Sequence, residues 1–141
     1  MMSEEKPKKM AIIVSKSTLD MAYPPFILAQ TGAALGMDVM LFFTFWGMSL
    51  IKKGGIRKVK LGGLMRFFTG MMKGKMKKAG IPPLEKMLKD CKDLGVKFYA
   101  CSATMDVMGI KKEELIPEVD DIVGATSFLE MAQDADITLF I

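Results

Sequence analysis

The chain has 141 residues, half of them apolar, with 20 basic and 16 acidic side chains, two cysteines and no histidine. That length suffices for one compact domain, expected to span 1–141, and is short for two. Without imidazole there is no Ser-His-Asp or Cys-His catalysis and no histidine proton shuttle, and two thiols not spaced as a CxxC pair make a poor metal site; neither a metal nor a cofactor is expected.

A polar start, Met1 to Lys9, is expected to fray. "MAIIVS", Met10 to Ser15, is a short β-branched run of the kind that forms a strand buried on both faces. "YPPFILAQTGAALG" follows, with Pro24 and Pro25 suited to a helix first turn and Gly36 to its stop. "MDVMLFF" reads as a second buried strand. A helix over Leu84 to Leu94, the strand "VKFYAC", a short strand in "VDDIV" (Val119 to Val123), a helix around Ser127 to Gln133 and a final strand "ITLFI" complete the pattern. Strand and helix in alternation imply parallel pairing through right-handed crossovers. The expected fold is therefore α/β, a mostly parallel sheet flanked by helices in a flavodoxin-like three-layer sandwich.

One segment breaks the alternation. Residues 52–78 carry ten of the chain's 20 basic residues and none of its 16 acidic ones, which leaves the remainder at net −6. "GGLMRFFTGMMKGKMKK" (Gly62 to Lys78) interleaves those cations with Leu, Met and Phe. A basic amphipathic helix can lie on an anionic membrane surface or grip an acidic partner. The alternative is a lid over the domain or a contact between subunits, with the lysines simply solvated. No nucleic-acid-binding motif accompanies the charge, so nucleic acid is not an expected partner. The uncharged run Val39 to Ile51 falls well short of the ~20 residues of a membrane-spanning helix. The chain shows no charged-then-apolar leader, and its few cysteines do not suggest disulfide staples. Both points place it in the reducing cytoplasm.

In a parallel sheet, chemistry collects at the carboxyl ends of the strands. Those ends are Ser15 to Thr18, Thr44 to Gly47, Cys101 to Thr104 and Gly124 to Ser127, a rim of hydroxyls with one Trp and one thiol. Ser15, Ser17, Thr18, Trp46, Ser102, Thr104 and Thr126 are the candidate pocket residues. "SKSTLD" lacks the glycine of a flavin phosphate loop, so Thr18 or Asp20 reads better as a helix cap. Trp46 is either a site wall or core filler, and Thr126 and Ser127 suit helix capping.

Cys101 ends a strand where a helix begins. Unpaired N–H groups and the helix dipole favour thiolate there, although a free cysteine can equally be a small buried apolar residue. Cys91 shares a helical stripe with Leu84, Met87, Leu88 and Leu94 and reads as core, with an auxiliary role as the alternative. A six-residue strand at ~3.3 Å per residue separates the two thiols by roughly 10 Å or more, too far for a bridge and unfavourable for a two-cysteine peroxidase.

"KDCKDLGVKFYACSATMDVMGI" and "VDDIVGATSFLEMAQDADITLFI" together resemble the DsrE/DsrF-like family of sulfur-relay proteins, closest to its peroxiredoxin-like branch. Cys101, Ser102, Ala103, Gly109 and Ile110 match the strand-terminal Cys, small residues and Gly-Ile of that family. The resemblance implies a parallel α/β fold, a homo-oligomer, and Cys101 as a thiol that carries sulfane sulfur as a persulfide or thiosulfonate between donor and acceptor proteins or small sulfur compounds. Relay members often carry arginines just after the cysteine, where this chain has Met105, Asp106, Val107 and Met108.

Overall fold

The computed structural model describes residues 6–141. The fraying expected at the start therefore lies partly outside the described residues. Lys9 already opens the first strand, its N–H donating to Asp136 Oδ2 at 2.8 Å and its Nζ pairing with Asp134.

Five strands form the sheet: β1 (Lys9–Val14), β2 (Asp38–Phe43), β3 (Lys97–Cys101), β4 (Asp121–Val123) and β5 (Ile137–Phe140). All their pairings are parallel, in the order β4-β3-β2-β1-β5. The helices are α1 (Leu19–Ala34), α2 (Thr69–Lys78), α3 (Leu84–Asp93), α4 (Ser102–Met108) and α5 (Ala125–Ala132). Side chains alternate across the sheet, as a period of two requires. Met10, Ile12, Val14, Val39, Leu41, Phe43, Phe98 and Ala100 share one buried cluster with residues of α1, α3 and α4. Ala11, Met40, Phe42, Cys101 and Val123 share the other with Phe128 and Ala132 of α5.

Aromatic contacts lock each layer. Phe26 of α1 lies 6.2 Å, centroid to centroid, from both Phe43 and Phe98, which meet edge-on at 5.4 Å. On the opposite face Phe128 stacks on Phe42 at 4.4 Å. Behind β3, Asp120 accepts hydrogen bonds from Phe98 N–H (2.8 Å) and from Lys92, whose ammonium also donates to the Val96 carbonyl. That junction fixes the register of β3, and Gly95, at φ +91°, supplies the left-handed turn that brings α3 into it.

Two local expectations are corrected. Helix α1 starts at Leu19, so Pro24 and Pro25 fall in its second turn rather than its first. The carbonyls of Asp20 and Met21 lose their donors, but these residues are exposed and half-buried, where water can serve instead. Helix α5 is capped by Gly124 without a side-chain bond, and Thr126 and Ser127 lie exposed inside its first turn. Neither is a cap.

The basic segment is ordered as turns of 3-10 helix over Gly63–Phe68 followed by α2. Only Thr69, Met72 and Met76 of α2 face the domain, one stripe at i, i+3 and i+7. Phe98 is fully buried while Phe140 is 72% exposed at the sheet edge. Phe98→Ala should therefore cost about 3–5 kcal/mol, and Phe140→Ala less than about 0.5 kcal/mol. Urea midpoints of the two variants check this, and equal losses would mean the core is not where it is described.

Candidate functional site

Helix α4 follows β3 and packs through Met105 and Met108 on the first face, whereas α5 follows β4 and packs on the second. The connections leaving these adjacent strands thus diverge, and the crevice they open is the switch point where parallel sheets hold their ligands. A flavodoxin-like order puts that crevice elsewhere; here it falls between β3 and β4. Cys101 pairs in register with Val123, and a Cβ placed on Gly124 would stand 3.4 Å from the Ser102 hydroxyl. The strand-terminal thiol therefore borders the crevice.

Cys101 is 8% exposed and stands at the N-cap position of α4, without a side-chain cap bond. Burial works against its ionisation, but the Thr104 hydroxyl, the Thr104 N–H, the Thr44 hydroxyl and the Ala103 N–H all favour the anion. Together they hold the thiol below its ordinary range. The two hydroxyls act as a unit. Thr44 Oγ1 and Thr104 Oγ1 lie 3.0 Å apart, both buried, and the Phe45 N–H donates to Thr104 Oγ1 at 2.9 Å. Whichever threonine gives its proton to the other, one hydroxyl proton is left uncommitted beside the thiol. Asp106 is exposed and is not among the groups that shift the thiol.

The loop over the rim is held in an unusual shape. Phe45 has φ +45°, the one non-glycine residue in the left-handed region among those described. A Cβ on Gly47 would meet the Val14 carbonyl oxygen at 2.1 Å, so only glycine lets this turn cross the end of β1. Trp46 beside it is 67% exposed, which excludes the core-filler reading and leaves it standing at the rim.

The other named residues separate. Ser15 is committed to the carbonyl of Ile141, at 2.9 Å from Oγ. Ser17 and Thr18 line a different recess with Ser49, Lys58 and Lys60. Thr18 sits at the N-cap of α1 but makes no side-chain cap bond. Thr126 is exposed in α5. Cys91 is fully buried on the first face, its Sγ 3.5 Å from the Phe26 carbonyl, and burial with the Asp90 charge pushes its thiol up to about 12. Both cysteines are free, and the sheet lies between them. The partner that reading the sequence missed is Thr44. Phe43 pairs with Ala100, so Thr44 follows in register beside Cys101; only the strand pairing reveals it.

Among the described residues no three His, Cys, Asp or Glu side chains group as a metal site, and no helix is long and apolar enough to cross a membrane. Comparison with known proteins adds a lineage. Residues 6–69 and 58–140 match the model of the DsrE/DsrF/DrsH-like family. The chain is 40% identical to the sulfur carrier protein DsrE2 of Allochromatium vinosum, over 95% of this chain and 98% of that one. It is 29% identical to the YrkE protein of Bacillus subtilis, over 97% and 99%. Among solved structures, the ychN protein of E. coli superposes with a TM-score of 0.60 at 17% identity, and MTH1491 of Methanobacterium thermoautotrophicum with 0.53 at 13%. Each covers 95% of this chain and 99% of its own. At such identities the structures share the fold.

A hydrogen bond to a charged group contributes about 1.5–3 kcal/mol, and a thiolate of higher pKa is intrinsically more nucleophilic. Thr104→Val should thus slow iodoacetamide alkylation of Cys101 about threefold to tenfold at neutral pH. Because the pKa is lowered in the wild type, its rate should level off below the ordinary thiol range as pH rises, and the variant should level off higher. Rates by mass spectrometry in a Cys91→Ser background would measure both; coincident profiles would remove the threonine from the site.

Proposed function

The chain belongs to the DsrE/DsrF/DrsH-like family, and on that premise we propose that it is a sulfur-relay protein whose working group is Cys101. The observation that carries the reading is the thiol's position at the β3/β4 crevice, where Thr44, Thr104 and two backbone N–H groups favour its anion against burial. The name of the Allochromatium relative, a sulfur carrier protein, supports sulfur as the cargo.

The step needs no base. Thiolate Cys101 attacks the sulfane sulfur of a donor persulfide, a new S–S bond forms, the donor's S–S bond breaks, and the donor leaves as its thiolate. With tetrathionate the adduct is Cys–S–S–SO₃⁻ and the leaving group is thiosulfate. An acceptor thiolate then attacks the sulfane sulfur bonded to Sγ, that S–S bond breaks and Cys101 leaves as thiolate, so Cys101 ends the cycle with no net oxidation. Such a carrier needs a reducing compartment and exchanging partners, in line with a cytoplasmic protein. The reading takes 1–141 as one domain with a basic insertion at 52–80, working as a homo-oligomer, and leaves Cys91 structural.

A second reading has its own observation. Leu64, Met65, Phe67, Phe68 and Met71 are exposed around Arg66 and next to the lysines of α2. This surface suits docking to an anionic membrane or an acidic partner. Co-sedimentation with vesicles containing anionic lipid, but not with neutral ones, and its loss on Phe67→Ser with Phe68→Ser, is the result expected if the surface binds lipid.

Exposure to polysulfide or tetrathionate should add a reductant-sensitive sulfur adduct to wild type and to Cys91→Ser, and none to Cys101→Ser. Intact mass spectrometry checks this. No adduct on any variant, or one that survives Cys101→Ser, sinks the carrier reading.

A further inference from the structure

A cavity of about 450 Å³ opens between the first turns of α1 and α3 and the inner face of α2, and its lining shares no residue with the Cys101 site. Its walls are aliphatic: Leu19, Ile56, Met76, Ile81, Pro83 and Leu84. Tyr23 joins them with its hydroxyl already donated to the Pro82 carbonyl at 2.9 Å, so it presents ring rather than a polar group.

The mouth is cationic. Arg57, Lys73 and Lys77 stand there against a single carboxylate, Glu85. Glu85 is already held by Arg57 in a bidentate pair, Nε to Oε2 at 2.6 Å and Nη2 to Oε1 at 2.9 Å. Lys73 and Lys77 make no ion pair among the described residues. They are four apart on one helix, where like charges repel. An anion between them would relieve that repulsion while its apolar body filled the space below.

From this combination of an aliphatic cavity and an unbalanced cationic mouth, we infer a binding site for a single-chain aliphatic carboxylate, its tail among Leu19, Met76 and Leu84 and its head at Lys73 and Lys77. The volume falls within the roughly 300–1,000 Å³ of ordinary small-molecule sites. Met76, with its flexible thioether, adapts to chains of different length. Because α2 rests on the domain through Thr69, Met72 and Met76 alone, an occupant touching Met76 also tightens the attachment of that helix.

Isothermal titration with hexanoate, octanoate and decanoate below their micelle concentrations tests the site, with decanol as the uncharged control. One saturable site per chain is expected. Affinity should rise about fourfold per added methylene until the cavity is full, and decanol should bind more weakly than decanoate. Lys73→Gln with Lys77→Gln, both exposed and safe for folding, should weaken decanoate about tenfold. Ile81→Trp should block the cavity. Hydrogen exchange over residues 69–78 should slow on binding. No saturable binding, no dependence on chain length, equal binding of decanol, or indifference to the lysine variant each overturns the proposal. So does loss of binding in Phe67→Ser with Ile81→Trp still binding, which would place the amphiphile on the outer surface of the segment.

Discussion

The site depends on one buried contact, the 3.0 Å meeting of the Thr44 and Thr104 hydroxyls. It ties the end of β2 to the first turn of α4, and with the Phe45 N–H it forms a short chain of donors beside Cys101. Buried polar groups without partners are costly, so the contact also dictates local shape. Phe45 accepts a left-handed backbone in order to deliver its N–H to Thr104, and Gly47 then carries the loop across the end of β1. Backbone strain of this kind persists only where surrounding structure insists on it.

The two cysteines show how position decides ionisation. Cys91 and Cys101 are both buried, and burial alone raises a thiol's pKa. Among the described residues the one hydrogen bond of the Cys91 thiol is one it donates, to the Phe26 carbonyl, which stabilises the neutral form, and the neighbouring Asp90 adds to the effect. Around Cys101 the neighbours are donors, and they reverse the sign. The same side chain on opposite faces of one sheet is held as the neutral thiol in one place and favoured as the anion in the other.

Much of this was legible in the residues. Short β-branched runs alternating with helical stretches specify a parallel sheet, and Cys101 at the end of "VKFYAC" must then lie on its carboxyl rim. The strand order could not be read, because neighbours in a sheet are chosen by crossovers rather than by local pattern, and with it went the placing of the crevice between β3 and β4. Thr44 escaped for the same reason: its closeness to Cys101 is a matter of register between strands 57 residues apart in the chain. Pro24 and Pro25 misled because proline tolerated in a second turn looks, in sequence, like proline at a first. In α5 the polar residues Thr126 and Ser127 drew the cap assignment away from Gly124, which caps through its backbone alone.

Sulfur relay through Cys101 requires that its thiol ionise readily near neutral pH. The most direct measurement is thiolate absorbance in the ultraviolet for the Cys91→Ser protein, titrated from mildly acidic to alkaline pH, with Cys101→Ser as the blank. A single inflection below the ordinary thiol range of about 8.5, moving upward when Thr44 and Thr104 are both replaced by valine, is the predicted result. An inflection at or above that range in the wild type would mean that burial outweighs the donors. Cys101 would then be a core residue like Cys91.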